Sequence, residues 1–297
     1  MNAKNTLGNF AVILLAIFWS AGALAGEDQE RIVVSDVGFS TPESVEYYAG
    51  EDVYLVSNIN GSPSAADGNG FIAKLKPDGS VVALKWIDGA KENVMLNAPK
   101  GSAVVDGNLF VADLNQVQVF GLPGGEQKTS IAIEGSTFLN GMTPGPDGSV
   151  YVTDTGFAGG MVPSGTDAVY QVWPDGQYKV IMKDKEMGHP NGIWNDSGHL
   201  VVNTLGSGEL FSIDSSGKRT ALPTPPTGGL DGLVRLADGR LIVSSWTGSA
   251  IYALGKDEKF TVLADGLVSP ADLGVDTKRH RLLVPLFKED KVVILPY

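Results

Sequence analysis

Four oxygen-bearing side chains recur in phase along the chain: Glu43 in Pro42-Glu43, Asn140 in Leu139-Asn140-Gly141, Asn191 in Pro190-Asn191-Gly192 and Asp231 in Leu230-Asp231-Gly232. Lys100 in Pro99-Lys100-Gly101 and Ala271 in Pro270-Ala271-Asp272 hold the two remaining positions of the series. Two carboxylates and two amide carbonyls make a hard-oxygen set, near neutral once a divalent ion sits among them. Ca2+ is the first choice for such a set, with Mn2+ or Mg2+ also suited. Zn2+ accepts carboxylate oxygen but prefers nitrogen or sulfur. The competing reading is turn chemistry around a water-filled polar channel, because Asn-Gly and Asp-Gly are ordinary turn residues. Against it, Asp106-Gly107, Asp147-Gly148, Asp175-Gly176 and Asp238-Gly239 form a separate set, placed in turns away from these motifs.

Lys100 has two readings. It is either a surface lysine at a channel rim, the preferred reading, or a cation that neutralises the carboxylates and holds an anionic substrate. His189, just before Pro190-Asn191, is either a proton carrier or a solvated loop side chain. His199 and His280 fall in or beside hairpin turns and carry no functional case. The chain has no cysteine, which excludes thiolate metal sites, thiol nucleophiles and redox pairs. It also lacks a G-x-S-x-G elbow, a Walker loop and an H-E-x-x-H motif.

Bringing residues so far apart to one point requires a repeating scaffold. Residues 188–203 show its unit: two β-runs around the turn Asn195-Asp196-Ser197-Gly198. Related hairpins start at each in-phase motif, and each is followed by a second pair of short strands. The result is six units of four strands at a period of roughly forty residues, the pattern of a six-bladed, all-β propeller with antiparallel blades. Units one and three are longer because of polar, Gly-rich insertions at 58–70 and 156–167. The sixth unit supplies three strands, and residues 31–37 are expected to complete it and close the ring.

In a propeller the innermost strands line a central channel, so the in-phase motifs should converge at one mouth. The insertions follow the second strand of their blades and should lie on that same face. They are expected either to form a partial lid, with Phe157 and Met161 as apolar wall, or to be mobile decoration.

Residues 1–25 read as a cleaved secretory signal: Lys4, an apolar core from Phe10 to Trp19, and Ala23-Leu24-Ala25 as the cleavage pattern. A single membrane anchor is the alternative, but the apolar run is short for a span. Residues 26–297 are then one exported domain, periplasmic or secreted, held by core burial without disulfides. The formal charge of −12 and the absence of a basic stripe argue against nucleic acid as a partner. No further membrane segment is expected, and the assembly should be a monomer or small homo-oligomer.

The motifs Thr41-Pro42-Glu43, Leu139-Asn140-Gly141, Pro146-Asp147-Gly148, Pro190-Asn191-Gly192 and Leu230-Asp231-Gly232 make the chain resemble one known family. This is the senescence marker protein/gluconolactonase/luciferin-regenerating enzyme family of six-bladed, calcium-dependent lactonases, which includes regucalcin. The resemblance implies that Glu43, Asn191 and Asp231 bind the divalent ion. It also implies that Asn140 binds metal or substrate and that Asp231 is the general base. The implied activity is hydrolysis of a lactone or related ester, with the metal as electrophile. Because one fold hosts many functions, a non-catalytic exported propeller that binds a ligand or protein partner, with a structural calcium, is the alternative.

Overall fold

The computed structural model describes Met1 and residues 30–297. Met1 apart, the expected signal segment lies outside the described residues. Among the described residues, six four-stranded antiparallel sheets follow one another along the chain, and no helix is long and apolar enough to cross a membrane. Blade one is built from Pro42–Tyr48, Val53–Asn58, Phe71–Leu75 and Val81–Asp88. Blades two to five repeat that order from Pro99, Leu139, Pro190 and Leu230. The architecture is a six-bladed β-propeller.

Burial explains why each blade stops at four strands. The second strand, such as Val53–Asn58, is buried along its whole length, whereas the outermost, such as Tyr178–Lys183, is largely exposed. The core is not one central mass, because the hub is occupied by a channel. It lies between the faces of adjacent blades, as where Phe110 and Val119 of blade two join Val152 and Tyr170 of blade three. Burying such faces is the main stabilising term in the fold.

Blade six consists of Gly274–Asp276, Arg281–Leu286 and Lys291–Pro296, with Ile32–Val34 as its outer strand. Ile32 pairs with Ile294, Val33 with Val293 and Val34 with Val292, so the ring closes as the sequence implies. The closing strand is shorter than the expected 31–37. The seam beside it carries a charged clamp. Arg279 of blade six donates to both carboxylate oxygens of Asp52 in blade one, at 2.8 and 2.6 Å, and to Asp276 at 2.9 Å. Tyr54 donates to the buried Asp276 from the blade-one side at 2.7 Å.

One irregularity matters for the hub. The pairing of first and second strands slips at Pro42/Ser44, Pro99/Ser102, Leu139/Met142, Pro190/Ile193 and Leu230/Leu233. Each slip is a β-bulge, and each contains the in-phase residue of its blade. A bulge re-aims a side chain out of the regular alternation. Here it turns residues of the innermost strands toward the axis.

Candidate metal centre

Glu43, Asn140, Asn191 and Asp231 all line one cavity of about 210 Å3 at the mouth of the channel. They come from four different blades and are 1–4% exposed. Each presents a buried oxygen without a hydrogen-bond partner: Glu43 Oε2, Asn140 Oδ1, Asn191 Oδ1 and Asp231 Oδ1. An unpaired buried acceptor costs roughly 1–3 kcal/mol, so four around one cavity need an external partner. A divalent cation answers several acceptors at once, and donors from water or a ligand would answer them singly. The Asn140 amide is oriented for this, since its Nδ2 donates to Thr155 Oγ1 at 3.0 Å and leaves the oxygen free. Two of the four donors are amides; among the described residues no group of three or more His, Cys, Asp or Glu side chains forms a metal site. The donor set therefore fits Ca2+ better than Zn2+.

The glycines of these motifs have a different purpose from the one turn chemistry suggests. A Cβ on Gly141 would overlap the carbonyl of Asn191, and one on Gly192 would overlap the carbonyl of Asp231. Neither glycine has a positive φ. Each is small because the first strand of the next blade passes against it, which draws successive donors around a narrow hub.

Beneath the donors lies a layer that fixes their backbone. Thr153 Oγ1 donates to Asn191 O at 2.6 Å. Asn203 receives Gly192 N at 2.9 Å and donates to Asp231 O at 2.8 Å. Ser244 Oγ receives Gly232 N and donates to Ala271 O. Farther out, Asp154 accepts from the backbone of Thr137, Phe138 and Gly156, and Asp113 from that of Asn97 and Ala98. These aspartates end the second strands of blades three and two and pin the chain just before Asn140 and Lys100.

Electrostatics follow from burial. Loss of water pushes the Glu43 carboxyl well above the usual carboxylate range, reinforced by Asp231 and Asp272 and opposed by Lys100. Burial, then Asp272, pushes Asp231 in the same direction. Asp272 itself is pushed up to about 7 by burial. It was missed because the repeat aligns Ala271 with the donors, and the carboxylate stands one residue later. Asp272 belongs to the opposite side of the hub, where it and Glu46 border the lower mouth of the channel. Burial, then Asp272, also raises the Glu46 carboxyl, although its side chain keeps partial contact with that mouth.

Lys100 is not a rim residue. It is 1% exposed, borders the same cavity, donates to Ala98 O at 3.1 Å and lies 4.1 Å from the centroid of the Phe138 ring. Burial pulls its ammonium down to about 8, against the opposing pull of Asp113, Glu43 and Asp154. The flanking glycine and neighbouring blades leave a lysine here nowhere to reach solvent, and its carboxylate neighbours compensate the buried charge.

The cavity walls come from the loops after the second strands. Ile59 and Pro63 belong to the first insertion, Met161 to the second, and Leu205, Trp246 and Phe287 to blades four, five and six; Phe138 completes the wall. Both insertions therefore reach the donor face. Phe157 does not line the cavity: it packs edge-on against Phe138 and stacks on His189 at 4.5 Å. His189 is partly exposed and does not line the cavity. Its Nδ1 lies 2.9 Å from Thr155 O, and its backbone N–H donates to Asp167 at 2.7 Å, so it fastens the base of the insertion. His199 is exposed, and His280 packs against Tyr297 in blade six.

No protein-family model matches the chain, and no curated protein matches it. Solved structures do match. A gluconolactonase from Xanthomonas campestris aligns with a TM-score of 0.68 at 17% identity, over 87% of this chain and 86% of that one. Virginiamycin B lyase from Staphylococcus aureus, in complex with quinupristin, aligns with a TM-score of 0.61 at 13% identity, over 90% and 100%. A chain of the nidogen/laminin complex aligns with a TM-score of 0.60 at 17% identity, over 75% and 79%. At these identities the likeness is one of fold, shared by enzymes of two reaction types and by a component of a protein–protein complex.

Proposed function

We propose that this propeller is a divalent-metal-dependent hydrolase of a lactone or related ester, akin to the gluconolactonases. Glu43, Asn140, Asn191 and Asp231 would hold the ion, with Ca2+ as the best match. The observation that carries the reading is the set of four buried, unpartnered oxygens on one cavity. When bound, a divalent ion supplies Lewis-acid polarisation of an ester carbonyl, worth several kcal/mol of transition-state stabilisation.

The residues of the chain supply the rest. Asp231 takes the proton of the attacking water at its carboxylate. As the acyl C–O bond breaks, it returns that proton to the departing alkoxide. Asn140, fixed through Thr155, orients the carbonyl. Lys100 offsets Glu43 within the cavity, so the donor set carries less negative charge than its two carboxylates alone, and it attracts the acid product. A carboxylate engaged with a cation is a weak base, which suits an ester or lactone far better than an amide.

The test is a panel of lactones and aryl esters, assayed after chelation and after readdition of Ca2+ or Mn2+. Turnover should vanish with chelator and return with metal. Unchanged hydrolysis in chelator contradicts the proposal. Thermal stabilisation by Ca2+ without turnover of any substrate favours the reading in which the propeller binds a ligand and the ion is structural.

A further inference from the structure

The residue directly after the second strand forms a second in-phase series: Ile59, Leu114, Thr155, Leu205, Trp246 and Phe287. Four of these border the cavity, and all four are apolar or aromatic. The hub therefore has polar donors at its floor and a hydrocarbon collar above them. Ile59 is 1% exposed and Phe138 3%, so much of this wall is buried. Trp246 and Phe287 sit with ring centroids 5.0 Å apart, and Met161 of the second insertion lines the same cavity.

The collar offers a ligand almost nothing polar. Its side chains include no hydrogen-bond acceptor, and their one donor is Trp246 Nε1, which is buried and has no partner. That indole N–H is turned toward Asp231 without completing a hydrogen bond. A sugar lactone brings several hydroxyls, each needing an acceptor. In the proposed reading the four unpartnered floor oxygens go to the cation and the collar adds no oxygen or nitrogen acceptor, so several of those hydroxyls would be buried unpaired, and sites of this type reject such ligands strongly. A hydrocarbon substituent instead gains from burial against the same wall.

From this chemistry we infer that the cavity selects esters and lactones with alkyl or aryl substituents and discriminates against polyhydroxylated ones. The cavity of about 210 Å3 suits a ligand of modest size. A ring with a short chain fits this space. The carbonyl faces the floor, a second acceptor oxygen meets Trp246 Nε1–H, and the substituent lies along Leu205 and Phe287. This inference rests on the proposed hydrolase reading but can fail separately from it.

The experiment compares δ-valerolactone, δ-hexalactone and δ-octalactone with glucono-δ-lactone on the Ca2+-loaded protein. The expected result is kcat/KM rising about fourfold per buried methylene, with glucono-δ-lactone at least tenfold below the alkyl series. Equal or better turnover of glucono-δ-lactone overturns the inference and leaves the hydrolase reading intact. If none is hydrolysed, the hydrolase reading falls, and calorimetric binding of the same lactones decides: tighter binding of δ-octalactone supports the apolar collar, and tighter binding of glucono-δ-lactone refutes it. Leu205→Gln, which adds a donor and an acceptor to a half-buried wall position, should narrow the preference several-fold. A preference unchanged in a variant whose melting temperature is also unchanged counts against the collar. Phe287→Leu, which keeps the wall apolar, should preserve the order of substrates.

Discussion

Two layers of the hub are both buried and both polar, yet opposite in hydrogen bonding. In the upper layer Glu43, Asn140, Asn191 and Asp231 each keep an unpartnered oxygen. In the layer below, Thr153, Asn203 and Ser244 are all engaged, holding the carbonyls and amides of the neighbouring blades. Burial of polar groups alone thus says little about function. Satisfied groups cement the ring, and unsatisfied groups that share a cavity are kept for a ligand.

Substitutions in the two layers should therefore separate activity from stability. The largest effect is expected at Asp231→Ala, which removes both an ion donor and the base. Turnover of a lactone should fall at least about a thousandfold, while the melting temperature without metal holds or rises because a disfavoured buried carboxylate is gone. A large fall in that temperature would place Asp231 with the cementing layer. Asn203→Ala should do the reverse. Losing its bonds to Gly192, Asp231 and Gly232 should cost about 3 kcal/mol, seen in thermal or urea unfolding with and without Ca2+. Gly141→Ala, which drives a Cβ into the adjacent blade, should destabilise by about as much, on the order of 2–3 kcal/mol, and should also weaken Ca2+ binding because Asn140 and Asn191 flank the contact.

The smallest effect concerns the lower mouth and has a pH signature. The Glu46 carboxyl is raised by burial and by Asp272, so the folded state prefers it protonated. A raised carboxyl leaves stability intact below the ordinary carboxylate range, near pH 4, and erodes it as pH climbs through the folded value. Glu46→Gln should then raise the melting temperature by about 3 °C at pH 8 and barely change it at pH 5. Equal shifts at both pH values would mean that the glutamate's charge is not what limits stability there.

Much of this was legible in the sequence, because a forty-residue period of hairpins leaves few alternatives to a propeller and puts its in-phase residues at the axis. The ring closure was legible for the same reason, since a sixth unit short of a strand needs the N-terminal one. Other features were hidden by three-dimensional causes. The glycines after the donors look like turn residues, and only the passing strand of the next blade reveals why Gly141 and Gly192 are small. Lys100 looks like a rim residue until its buried carboxylate neighbours are seen. Asp272 is out of phase by one residue, and the collar positions, such as Leu205 and Trp246, recur in phase but fall just beyond strand ends and vary in residue type, so only the shared cavity shows which of them act together. Phe157 lies one layer behind the wall it was expected to form, because Phe138 occupies that place.

Calorimetric titration of Ca2+ into the chelator-treated protein, beside Asn191→Leu, tests the central claim most directly. Leucine keeps the branching and heavy-atom count of Asn191 and removes its free oxygen without touching a carboxylate. One ion should bind per chain to the wild type, and its affinity should drop at least tenfold in the variant while the fold is retained. Absence of stoichiometric binding, or binding indifferent to Asn191→Leu, would contradict a cation site built from these four oxygens.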